Sequence, residues 1–179
     1  MQIRGLLARA LLGGAALLLM GHSPYRQWAV YRETHLVVVA DDAAPGALAV
    51  TEGVAECLAI HVPGSRAVAA RARTAVEVMK LLRSRQLRVG LVLGADAADA
   101  LTARGSFAGE APLPLRALAV FGPYLLVALE DFPAGKAQEI ARALTEYPPP
   151  GAPAPVAAPL VPLHPGAAQA RGAPAQSGD

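Results

Sequence analysis

The stretch Leu36-Val37-Val38-Val39-Ala40 constrains this chain more than any other. Five apolar residues in a row, three of them β-branched, suit a strand covered on both faces, because a strand with one wet face would alternate. Such a strand needs helices above and below it, and the sequence supplies them. Asp41 and Asp42 follow as turn or N-cap residues, and Pro45-Gly46 lead into a helical pattern at Leu48, Val50, Val54, Cys57 and Leu58. Pro63-Gly64-Ser65 breaks that pattern. Residues 68–70 suit a short second strand, and Ala75, Val76, Met79 and Leu82 form a helical stripe ending near Gln86. Val89-Gly90-Leu91-Val92-Leu93 reads as a third buried strand, and residues 95–103 as a helix. Leu118-Ala119-Val120 and Leu125-Leu126-Val127-Ala128-Leu129 read as further strand interrupted by Gly122-Pro123. Residues 133–146 close as a helix with Pro133 near its first turn. Strands alternating with helices imply right-handed crossovers and a mostly parallel sheet. The expected fold class is therefore α/β, a three-layer sandwich.

That core occupies residues 35–147, and both flanks differ from it. In residues 1–21, Arg4 and Arg9 precede an uncharged run, Ala10-Leu11-Leu12-Gly13-Gly14-Ala15-Ala16-Leu17-Leu18-Leu19-Met20. A positive start and a short apolar stretch are what export machinery reads. The run is shorter than the ~20 residues that cross a bilayer comfortably. Met20-Gly21-His22 lacks the small–x–small pattern of a cleavage site, and residues 22–34 mix Tyr25, Trp28 and Tyr31 with Arg26 and Arg32, as an interfacial collar would. The segment is read as an uncleaved signal anchor, with a cleaved signal peptide as the alternative. Either places the chain outside the cytoplasm, on the membrane's outer face or free of it. Residues 148–179 hold nine Pro and nine Ala, and are expected to form a disordered Pro/Ala-rich tail.

Chemistry-bearing residues are sparse. Histidines His22, His35, His61 and His164 are scattered, none at metal-ligand spacing with another, so no metal is expected. There is no Gly-x-Ser-x-Gly elbow and no phosphate loop; no cofactor, no catalytic residue and no enzymatic activity are expected. Asp96 and Asp99 sit three apart on the helix expected over residues 95–103, and Asp41-Asp42 end a strand, where open α/β sheets bind ligands. Helix-end charge preference and capping explain both pairs more cheaply. Cys57 is the only cysteine, so it forms no intrachain disulfide, and it lies in an apolar pattern that suits a buried inert thiol. Seven of the sixteen basic residues lie between Arg66 and Arg88. A solvated face next to a basic turn accounts for them, and no nucleic-acid partner is expected.

Several strings resemble the solute-binding subunits of TRAP transporters of the TAXI family. Leu58-Ala59-Ile60-His61-Val62-Pro63-Gly64-Ser65-Arg66-Ala67 is similar to the end of that family's first helix and its turn. Thr74-Ala75-Val76-Glu77-Val78-Met79-Lys80-Leu81-Leu82 resembles its Gly-Ser-x-Glu-Asn helix start. Gly105-Ser106-Phe107-Ala108-Gly109-Glu110 and Leu115-Arg116-Ala117-Leu118-Ala119 resemble its Gly-x-Phe-Ala-Gly loop and the strand entering the hinge. Phe132-Pro133-Ala134-Gly135-Lys136 onward to Leu144, with Leu163-His164-Pro165-Gly166-Ala167-Ala168, resemble its last helix and His-Pro-Gly-Ala ending. The resemblance implies a lobe of periplasmic-binding-protein type that recognises a small organic anion and works beside a membrane transporter subunit.

The chain also departs from that pattern. Family members have two lobes with solute between them, whereas here the hinge-like strand ending near Leu129 runs directly into the last helix. Asp41-Asp42-Ala43-Ala44 replaces the family's Thr-Gly turn, Thr74 and Ala75 stand at its Gly-Ser positions, and Val78 at its Asn. Leu93 and, approximately, Ala95 stand where Gln and Asp are expected, with Asp96 one place on. Losing those donors weakens recognition of a desolvated anion, and losing the opposing lobe opens the site to solvent. Arg73, beside Thr74, can partly compensate by offering a guanidinium to a carboxylate, so if the chain binds solute the expected residues are Arg73 as ion-pair donor, Thr74 as hydroxyl and backbone donor, and Asp96 as acceptor. The expected role is accessory or vestigial in organic-anion recognition; the alternative is a domain that contacts another envelope protein and binds no small molecule.

Overall fold

The computed structural model describes residues 24–155 and 158–172. The leader, residues 1–21, lies outside them. Two units divide at Thr34 and His35. In the first, helix α1 (Pro24–Thr34) stacks Trp28 on Tyr31 with ring centroids 5.6 Å apart, and Arg32 lies over the Trp28 ring. Trp28 and Val30 are exposed. Among the described residues no helix is long and apolar enough to cross a membrane.

The second unit is an α/β sandwich. Its elements are β1 (Val37–Asp41), α2 (Ala47–His61), β2 (Val68–Ala72), α3 (Ala75–Arg83), β3 (Val89–Leu93), α4 (Gly94–Thr102), β4 (Leu115–Phe121), β5 (Tyr124–Leu129), α5 (Ala134–Glu146) and α6 (Pro165–Gly172). The strand order is β2-β1-β3-β5-β4. β1 pairs in parallel with β2 and β3, while β5 runs antiparallel to both β3 and β4. Four strands thus point one way and β5 against them, so the sheet is mixed. The reason is local. Where further strand interrupted by Gly122-Pro123 was expected, those two residues form a hairpin that turns β5 back along β4, with Gly122 at a φ of 55° that glycine adopts without strain.

The central strands are buried on both faces, as the Val- and Leu-rich runs require. On one face Val38, Val89, Leu91 and Leu126 pack under Val50, Val54 and Leu58 of α2 and Ala137, Ile140 and Leu144 of α5. On the other, Gly90 faces α3: a Cβ there would come within 2.7 Å of Val78 Cγ1. Leu125 meets Gly94 of α4 on that second face, giving three layers.

The C-terminal segment differs most from the sequence expectation. Pro149 packs against Gly53 on α2 and Pro153 against Gly122 at the hairpin. Val161 is wholly buried, and Leu163 bridges to Ala117 on the outer edge of β4. There Ala117 N–H donates to Pro162 O (2.9 Å) and His164 N–H to Ala117 O (2.9 Å). Proline lacks a donor, but here only its carbonyl is needed. His164 then caps α6: Gly166 N–H donates to its Nδ1 (3.2 Å), with Pro165 in the first helical position. The described part of the segment is therefore ordered against the core, not a free tail. Proline and alanine composition argued for disorder, but a polypeptide edge and a helix face were waiting for Val161, Leu163 and Ala167.

Candidate functional site

The three residues expected to hold a solute share one end of the sheet, where β1, β2 and β3 finish. Asp41 is the last residue of β1, Arg73 and Thr74 follow β2, and Asp96 lies in the first turn of α4 after β3. β1 and β3 are neighbours, yet the chain leaving β1 goes to β2 on one side and the chain leaving β3 goes to β4 on the other, and the crevice such a switch creates is where open sheets hold ligands. Asp42 N–H donates to Ala72 O (2.9 Å), which draws the β1 turn against the end of β2.

Each group at this end has a structural task. Asp41 is buried, and its Oδ1 accepts from Ala43 N–H (3.0 Å), an Asx-type turn rather than a helix cap. Gly46, not Asp41 or Asp42, occupies the N-cap of α2. Thr74 Oγ1 accepts from Glu77 N–H (3.3 Å) and caps α3. Glu77 reaches back to Arg73 N–H (2.8 Å), so Thr74-x-x-Glu77 works as a close variant of a capping box. That spacing was legible in the sequence. The Arg73 side chain is exposed. Tyr124 OH donates to Pro45 O and ties the hairpin to the turn before α2.

The electrostatics at this end are acidic. Asp96 is half-buried, and its carboxyl is pushed above the usual carboxylate range by burial first, then by Asp41 and Asp99. Asp96 therefore lies within reach of the charges of Asp41 and Asp99, and a carboxylate ligand brought to it meets like charge. Arg73 and the orphan N–H groups at the start of α3 and α4 are what would attract it. Among the described residues no cluster of His, Cys, Asp and Glu can hold a metal ion.

A depression of about 260 Å³ lies at the opposite end of the sheet, where β3 begins and β5 finishes, lined by Arg85, Leu87, Arg88, Leu129, Asp131, Phe132 and Pro133. None of Arg73, Thr74 and Asp96 lines it. An ion pair between Arg85 and Asp131 closes one side. Arg83 pairs with Glu110 (3.2 Å), so two of the clustered basic residues have acidic partners far along the chain. Cys57 Sγ donates to Tyr147 O (3.0 Å), and burial pushes its thiol up, in keeping with an inert side chain.

What the sequence reading missed is the role of the His-Pro-Gly-Ala string. His164 is fully buried, set edge-on to Phe132 with centroids 6.2 Å apart. Gly166 lets the backbones of α5 and α6 touch, since a Cβ there would fall within 3.0 Å of both Ala134 C and Gln138 N. A capping residue, a proline and a glycine in succession were the available signal. No family model matches the chain, and no curated protein matches it at a significant level.

Proposed function

We propose that the chain is a single-lobe relative of TAXI-type solute-binding subunits, accessory or vestigial in organic-anion recognition, held in the periplasm by its N-terminal segment beside a transporter subunit. The observation that carries this reading is the position of the resembling strings on one lobe. They run in order through the end of α2, through α3, β4 and α5, to the β4 edge and α6. Arg73, Thr74 and Asp96, the residues expected to hold a solute, share one end of the sheet. The collar of Trp28, Tyr31 and Arg32 on α1 suits a membrane interface.

A specific observation favours a second reading, an envelope protein-interaction domain without small-molecule binding. Asp41, Asp96 and Asp99 make the strand ends acidic, and the Thr74 hydroxyl is already engaged by its helix. One experiment separates the two. Full-length protein in detergent is heated with millimolar succinate, glutamate or 2-oxoglutarate while unfolding is followed by fluorescence. A ligand at about a hundred times its Kd stabilises by ~2.7 kcal/mol, a rise of several degrees. Little shift is expected. A rise of several degrees that Arg73→Ala abolishes overturns the vestigial version and restores solute binding. Recovery of a stoichiometric envelope partner with no shift supports the second reading.

A further inference from the structure

The two edges of the sheet have opposite fates. β4 is covered on its outer side by Pro162–Leu163–His164, as described above. β2 is the other edge, and nothing among the described residues pairs with its outer side. Its register shows which groups are left over. Val68 N–H donates to Leu36 O, and Ala72 O accepts from Asp42 N–H. Residues 68, 70 and 72 therefore turn their backbone groups toward β1, and those of Ala69 and Arg71 point outward. Ala69 is also exposed and small, leaving room for a second backbone beside it.

Three arginines run along this edge. Arg66 precedes β2, Arg71 lies within it and Arg73 follows it; all three side chains are exposed and have no acidic partner among the described residues. Arg71 and Arg73 are two residues apart, so they share the pleat's spacing. We propose that the open β2 edge is a docking strand for an extended acidic segment of another protein. The segment adds to the sheet by exchanging backbone hydrogen bonds with Ala69 and Arg71. It sets carboxylates at alternate positions against the guanidinium row. Charge selects the occupant. A second copy of this chain, paired β2 to β2, would bring two sets of three guanidiniums onto one ribbon, where like charges across strands destabilise. Cations on an edge deter neutral and basic strands; the same cations admit an acidic one. The inference shares Arg73 with solute binding but does not depend on it, since it rests on the outward backbone groups of Ala69 and Arg71 and is tested at Arg66, Ala69 and Arg71.

The test uses full-length protein and fluorescein-labelled peptides, Val-Glu repeated three times, the Val-Lys counterpart, and the acidic peptide N-methylated at alternate residues. Anisotropy should show the acidic peptide binding at least about tenfold tighter than the lysine peptide. N-methylation should cost about tenfold or more, since it removes donors without altering charge. Ala69→Pro deletes the outward N–H of an edge strand, where proline is tolerated, and should weaken binding about tenfold with Tm unchanged. Arg66→Glu with Arg71→Glu, both at exposed positions, should reverse the preference toward the lysine peptide, and serves if the proline variant is unstable. Several results would overturn the proposal. These are no saturable binding at millimolar peptide, equal binding of both charges, or an N-methylated peptide as tight as its parent. A concentration-dependent dimer in light scattering that Arg71→Glu strengthens would assign the edge to a second copy instead.

Discussion

Replacing Gly166 with Ala tests the claim that the C-terminal segment belongs to the core. In an exposed helix this change stabilises by roughly 0.5–1 kcal/mol, because glycine is the poorer helix former. Here the new Cβ would fall within 3.0 Å of Ala134 C and Gln138 N, and closer still to Ala134 O. Ordinary contacts to a Cβ are 3.4–4 Å, and these neighbours are backbone atoms that cannot rotate away. α6 must therefore back off α5 by about an ångström, a gap that forfeits a quarter to a half of each contact's attraction. Overpacking of this kind costs about 1–3 kcal/mol, more than the propensity gain. The displaced segment carries Val161, His164 and Ala167, all buried. Net of that gain, a loss of about 0.5–2 kcal/mol lowers Tm by roughly 1–8 °C in a chain of this size. Thermal unfolding followed by circular dichroism reads the shift. Hydrogen exchange over residues 161–172 should lose protection selectively. An unchanged or raised Tm with those amides still protected would refute the packing argument, because the sign itself is reversed.

Two further perturbations address other parts of the lobe. His164→Ala removes both the α6 cap and a buried ring, and should cost about 2–4 kcal/mol in urea unfolding, whereas His164→Asn keeps a capping acceptor and should recover about 1 kcal/mol of that. Equal losses in the two variants would mean that the cap contributes nothing. Asp96 titrates above its unfolded value of 3.8, so its ionised form is disfavoured in the native state at neutral pH, and that penalty is relieved as pH falls through the raised pKa toward 3.8. Asp96→Asn should therefore raise Tm at pH 7.5, with a gain that shrinks on acidification. A Tm lower than that of the parent protein at pH 7.5 would show that the charge at the start of α4 is favourable there.

The candidate site was half legible. The strand-end positions of Asp41, Arg73, Thr74 and Asp96 follow from element order alone, because a parallel βαβ unit puts every βα turn at the same end. The charge Asp41 adds was not legible: Asp96 and Asp99 are neighbours on one helix, but Asp41 lies more than fifty residues before them and reaches Asp96 only when β1 and β3 pair. The same holds for Arg83 with Glu110 and Arg85 with Asp131. Local spacing reports the cap at Thr74-x-x-Glu77, but it cannot report a partner brought by the fold.

Sequence by itself determined the buried strands at Val37–Asp41 and Val89–Leu93, the helices between them and the α/β class, because β-branched runs and 3.6-residue stripes act over a few neighbouring residues. It left open the direction of β5, which depends on whether Gly122-Pro123 makes a hairpin, and the fate of the proline-rich segment. Tertiary structure decided both. The edge of β4 offered an N–H and a carbonyl to Pro162 and His164, and α5 offered a backbone surface that only Gly166 could approach. Composition counts what a segment can bury on its own; it does not count the surface another part of the chain holds ready for it.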